Sequence, residues 1–151
     1  MVLSYETIFS RFRGMVDDPI ELLLNIDDLY ELYIERLHNV LGDSRIYAKT
    51  SSLTVDDELQ EIDFELKNPV NDFADKEFIT KVLSIGMVIE WLKPQVESKK
   101  YTARAIGGKE EKNLQNNYSP MQDRLKELER QYSSLLSSHG YINNSYLQEG
   151  S

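Results

Sequence analysis

DKEFITKVLSIGMVIEWLKPQ, residues Asp75 to Gln95, is the stretch whose pattern decides the fold. Phe78, Val82, Ile85 and Ile89 recur at helical spacing, Ile79, Leu83 and Met87 widen that side, and Lys76, Lys81, Glu90 and Lys93 interrupt the apolar run. Crossing a bilayer takes about 18 uninterrupted apolar residues. The longest run without a charge here is Val82 to Ile89, so the spacing predicts a core helix of a soluble protein rather than a membrane span. Trp91 is expected inside that core. Pro94 has no amide hydrogen and its ring clashes with the preceding turn, which predicts a stop or kink, with Gln95 to Ala105 as a further helical piece.

On the N-terminal side, Ser4 can cap a first helix running to about Met15, with Ile8, Phe9, Phe12 and Met15 on one face; Asp17-Asp18-Pro19 breaks it. A second helix begins at Asn25 or Asp27, carries Leu29, Leu32, Tyr33, Leu37 and Val40, and closes at Gly42. From Asp43 to Pro69 the helical period fades, and a loop with a short extended stretch is expected. Ile62, Phe64 and Leu66 alternate with Asp63 and Glu65, the pattern of an extended segment with one buried face, here bounded as Glu58 to Leu66. Asn68-Pro69 ends it, and Asn71 or Asp75 caps the core helix.

On the C-terminal side, Gly107-Gly108 marks a flexible break, and the polar run Lys109 to Tyr118 suits an exposed loop or a marginal helix. Ser119 as cap and Pro120 at the first helical position predict the start of a last helix, whose Met121, Leu125, Leu128, Tyr132 and Leu135 follow at steps of four and three until His139-Gly140. The expected fold class is all-α, a bundle of four to five helices with one short extended segment and an extended C-terminal tail. The expected organisation is a helical domain over 1–140 and a tail over 141–151.

A chain of 151 residues fits one domain with one core. It holds no cysteine, which excludes disulfide frameworks, thiolate metal sites and thiol nucleophiles. MVLSYETIF lacks a basic and apolar leader, so no secretion signal and a cytoplasmic origin are expected. The formal net charge of -9 is uneven: residues 1–75 hold 17 acids against 6 bases, and residues 76–151 hold 9 acids against 11 bases. One explanation is an acidic solubilising face. The other is self-assembly, with the acidic half of one copy beside the neutral-to-basic half of the next. Specific nucleic-acid binding is disfavoured, because no basic stripe is present to neutralise phosphates.

Catalysis needs converging titratable groups, and the two histidines, His38 and His139, have no partner visible in the sequence. The pairs Asp17-Asp18, Asp27-Asp28 and Asp56-Asp57 fit caps and loops better than magnesium, since adjacent helical residues point to different faces. Glu58 and Glu61 form an ExxE step of the kind used by all-helical nucleotide pyrophosphohydrolases, but no matching ExxD follows. GGKEEK, Gly107 to Lys112, lacks the leading glycine and the Ser/Thr of a phosphate loop. No catalytic residue, metal site or cofactor is therefore expected.

A short first helix, an Asp-Asp-Leu opening to the second, the alternating segment near Phe64 and Leu66, MVIEWLKPQ at Met87 to Gln95, and GGKEEK before a leucine-rich last helix resemble the head-to-tail connector, or neck adaptor, proteins of long-tailed bacteriophages. The resemblance spans roughly Tyr5 to Leu136. It departs from the family at Pro120, where a polar residue is expected, and in the tail. It implies a virion structural protein, made in the bacterial host cytoplasm, that forms a dodecameric ring under the portal and extends the DNA channel without specific DNA binding. The implied partners are other copies of the chain, the portal protein and a downstream neck or tail-completion protein; no membrane is implied.

By the same resemblance Tyr141, Ile142, Tyr146 and Leu147 belong to a portal-docking tail. Ala105 to Asn117, with Gly107, Gly108 and Lys109, becomes a ring-contact or lumen loop. Terminal disorder is the plainer expectation for the tail; the sharper one is a docking strand, since its apolar side chains are costly to leave in water. A net acidic ring would repel the duplex and let it slide. The rivals are a tail-completion or stopper protein of the neck and, from another class, a small host-directed regulatory or inhibitor protein.

Overall fold

The computed structural model describes residues 1–139. Strand β1 (Val2–Ser4) leads into α1 (Tyr5–Arg13); a 3-10 turn at Glu21–Leu23 precedes α2 (Ile26–Leu41) and α3 (Ser44–Lys49). The hairpin β2 (Thr50–Asp56) and β3 (Glu61–Leu66) follows, and then two long helices, α4 (Asp72–Ile106) and α5 (Gly108–Ser138).

Side-chain oxygens start α1 to α4. Ser4 Oγ accepts the Thr7 amide at 3.3 Å, Asn25 Oδ1 the Asp28 amide at 2.9 Å, Asp43 Oδ1 the Arg45 amide at 2.9 Å and Asn71 Oδ1 the Ala74 amide at 2.7 Å. Each satisfies a donor that the first helical turn leaves free. Tyr5, Ile8, Phe9 and Phe12 lie on one face of α1, and Tyr33, Leu37, Val40 and Leu41 on one face of α2; both faces are buried against α4. Helix α4 is the centre of the domain, touching α1 and α2 as well as packing along α5. Its Phe78, Ile79, Val82, Leu83, Met87, Val88, Trp91 and Leu92 are all buried.

The fold is not all-α. A three-stranded antiparallel sheet, order β1-β3-β2, contributes Leu3, Ile62, Phe64 and Leu66 to the same core as the helices. β3 is central, pairing Leu3 with Ile62 on one side and Val55 with Ile62 and Leu53 with Phe64 on the other. Ile62, Phe64 and Leu66 point into the core, as their alternation predicts. Both partner strands escape a reading by pattern. β1 has three residues, and β2 buries only Thr50 and half-buries Leu53, so neither carries an apolar period; pairing with β3 is what defines them. Asp56 Oδ1 closes the hairpin by accepting the amides of Glu58 and Leu59, each at 3.0 Å, while Gln60 takes a left-handed φ of 52°.

The loop expected after Asp43 opens instead with the short helix α3, started by the Asp43 cap, and two helix boundaries also differ from expectation. α4 runs through Pro94, with the Gln95 side-chain amide donating to the Trp91 carbonyl at 3.0 Å. α5 starts at Gly108 and runs through Ser119-Pro120, so Lys109 to Tyr118 is helix and not loop. Both prolines are exposed, where a carbonyl that loses its amide partner can turn to water. Continuous packing of α4 along α5 outweighs the local stop and start signals. The link between them is Gly107 alone, at φ 70° and ψ 172°, followed by Gly108 at φ 65°. Glycine adopts these angles without the Cβ penalty of other residues.

Candidate assembly surface

The loop between α1 and α2 is built inside out. Asp18 turns inward, accepting the Trp91 indole N–H at 2.9 Å and the amides of Ile20 and Glu21 at 3.1 and 3.2 Å. The indole hydrogen bond, with those amides, holds its carboxyl below the usual carboxylate range. Glu21 forms a two-pronged ion pair with Arg36 of α2, with both side chains largely shielded from solvent. The apolar residues between and after these groups face solvent instead: Ile20 is 78% exposed, Leu22 67%, Leu23 85%, Leu24 42% and Ile26 67%. Five large aliphatic side chains in seven consecutive residues, flanked by part-buried polar contacts, are exposed together, a concentration of the kind that marks an interaction site. Exposed acids follow it on the first turns of α2, at Asp27, Asp28 and Glu31, and residues 17–35 contain no lysine or arginine.

The far ends of α4 and α5 form a second distinctive surface. At about 1.5 Å per residue, α4 spans roughly 52 Å, and from Glu97 to Ile106 it buries only Ala103. This arm carries Lys93, Lys99, Lys100, Arg104, Lys109 and Lys112 against Glu97, Glu110 and Glu111. Tyr101 (69%) and Ile106 (46%) are exposed on it. Among the described residues none of these six cations enters an ion pair.

The polar clusters elsewhere are occupied in holding elements together. Asp57 accepts the Tyr5 hydroxyl and lies 2.9 Å from His38 Nε2, tying the β2–β3 turn to α1 and α2. The Tyr5 hydroxyl bond, then His38, lowers the Asp57 carboxyl, whereas burial first and Asp57 second push the Tyr5 hydroxyl up. The Tyr5 hydroxyl thus donates to an Asp57 carboxylate that also meets His38, a polar tie between the hairpin turn and the two helices.

Asp43 accepts Arg45 Nη2 at 2.8 Å and the Tyr132 hydroxyl at 2.8 Å, with the guanidinium 5.0 Å from the Tyr132 ring centre, at the edge of an open cleft of about 490 Å³. The Arg45 guanidinium lowers its carboxyl from 3.8 to about 2. A depressed acid stabilises the fold above its unfolded value and loses that contribution as pH falls through the folded one. The full shift corresponds to about 2 kcal/mol, reduced to roughly 1 kcal/mol by partial exposure. Asp43→Asn is therefore expected to lose this stability at pH 6, and its urea midpoint should converge on that of the unaltered protein between about pH 4 and pH 2.

His139 stacks on Phe78 with ring centres 3.7 Å apart, its carbonyl accepts Lys49 Nζ at 3.3 Å, and burial lowers its pKa. It fixes the end of α5 beside the start of α4. Tyr141, Ile142, Tyr146 and Leu147, expected to dock on a partner, lie outside the described residues. Gly107, Gly108 and Lys109 are the tip of the arm and the first turn of α5 rather than a loop. Glu58 sits in the hairpin turn and Glu61 begins β3, so the ExxE step is not helical. Among the described residues no group of three or more metal-ligating side chains converges, and no helix is long and apolar enough to cross a membrane.

No protein-family model, curated protein or solved structure matches this chain. Sequence reading passed over the loop at Ile20 to Ile26. The signal was present: an aliphatic run with no helical or strand period, set between Pro19 and Asn25.

Proposed function

We propose that this chain is a non-enzymatic structural subunit of a phage neck, an adaptor that forms a ring under the portal and extends the DNA channel toward the tail. The observation that carries the reading is the apolar loop from Ile20 to Ile26, held toward solvent by Asp18 and Glu21, which suits a protein that works by contact. The order of helices, the MVIEWLKPQ block and GGKEEK add the resemblance to neck adaptors. The acidic balance suits a conduit that must not grip phosphate. In this reading residues 141–151 dock on the portal, and α5 presents them from the end fixed by His139.

The test is reconstitution with the portal encoded in the same genome. The full chain is expected to add a ring of density to portal particles in electron micrographs. A chain ending at residue 140 should keep its circular dichroism spectrum and fail to add that ring. Failure of the full chain to bind portal, or turnover of a small substrate traced to its own side chains, would overturn the reading.

A further inference from the structure

The apolar loop and the basic arm lie on different elements of one chain and complement each other in two respects. The loop offers Leu22, Leu23 and Ile26 beside exposed Asp27, Asp28 and Glu31, and the arm offers Tyr101 beside Lys100 and Arg104, which enter no ion pair among the described residues. Exposed aliphatic side chains gain by leaving water, and opposite charges around them set the orientation. A patch that fits a different patch on an identical molecule makes a heterologous contact, and such contacts close into rings or run on as filaments.

We infer that the α4–α5 arm of one copy seats on the loop from Ile20 to Ile26 of the next, so that copies join head to tail, with Lys100 and Arg104 facing Asp27, Asp28 and Glu31. The inference rests on the reading of the chain as an assembly subunit and identifies the surface through which copies meet. Tyr101, which shares a face of α4 with Arg104, supplies the apolar cover, and the cations beside it neutralise the most acidic segment of the neighbour. The contact weakens as salt rises, because its charged surround is solvent-accessible.

The chain has no cysteine, so engineered thiols report without background. Leu23→Cys and Tyr101→Cys, both at exposed positions, are placed on separate, differently tagged full-length chains, mixed at high concentration and treated with a short bifunctional maleimide. The expected product is the mixed 23–101 dimer, in at least about tenfold excess over 23–23 and 101–101 products, a ratio equivalent to about 1.4 kcal/mol. Lys100→Glu with Arg104→Glu should abolish it, and Asp27→Lys with Asp28→Lys on the other chain should restore it, with unchanged circular dichroism throughout.

Dominant 23–23 product would overturn the inference in favour of a two-fold dimer. No product, or product formed only after residues 141–151 are removed, would overturn it in favour of a monomer or of a loop covered by its own tail. Portal binding separates this inference from the functional one. A chain that binds portal without 23–101 product keeps its function and loses this interface, and one that yields the product without binding portal does the reverse.

Discussion

Trp91→Ala is expected to lower the stability of the domain by about 3 to 5 kcal/mol, the range for removing a large buried aromatic side chain. Trp91 is 8% exposed and sits one turn before the end of the buried face of α4, beneath the start of the acidic loop. Its indole N–H donates to Asp18 at 2.9 Å, and the Arg124 guanidinium lies 5.9 Å from the ring centre. The substitution therefore opens a cavity and withdraws the donor that turns Asp18 inward.

Because Asp18 also accepts the Ile20 and Glu21 amides, the loop should lose order together with the core. Trp91→Phe separates the two effects. It keeps part of the packing, removes the hydrogen bond together with one ring of the indole, and should cost about 1 to 2 kcal/mol. Urea unfolding followed by circular dichroism measures both, since the fluorophore is lost with the indole. A loss below about 1 kcal/mol for Trp91→Ala would place the indole outside the core.

The second large effect is expected at Gly86, where α4 meets α2. A Cβ built there would lie 2.5 Å from Val40 Cγ1 and 2.9 Å from Val40 Cγ2, and both residues are buried. Valine is stiff at χ1 and cannot swing clear, so the helices must separate. Gly86→Val is expected to cost about 3 kcal/mol, toward the upper end for overpacking, although it replaces a poor helix former. The cause can be isolated by a double-mutant cycle. Gly86→Ala combined with Val40→Ala should be more stable than the sum of the single losses by about 1 kcal/mol or more, because the added methyl fills space vacated by Val40. Additive losses would mean that the close approach is relieved elsewhere.

The helices were legible where local chemistry and long-range packing agree. The caps at Ser4, Asn25 and Asn71 and the apolar faces of α1, α2 and α4 are written within a few turns of chain. Pro94 and Ser119-Pro120 gave correct local signals that a longer-range effect overrode. Each removes one amide on an exposed side, while the helix to either side gains a partner along its length. The sheet was half legible, in Ile62, Phe64 and Leu66.

Of the candidate surface, the aliphatic residues and the uneven charge are visible in the chain. What the sequence does not reveal is that Asp18 and Glu21 face inward while the leucines face solvent, since that inversion depends on Trp91 and Arg36, brought in from other helices.

Periodicity, caps and composition determined where α1, α2 and α4 begin and which faces they bury, because those properties depend on neighbours within about four residues. Tertiary structure decided the rest. β1 and β2 exist only by pairing with β3, α5 spans Pro120 only because α4 lies along it, and Ile20 to Ile26 stays exposed only because distant side chains hold the polar groups beside it. The physical reason is common to all three. Each depends on hydrogen bonds or packing between residues far apart in the chain, and a pattern read along the chain carries no term for such contacts.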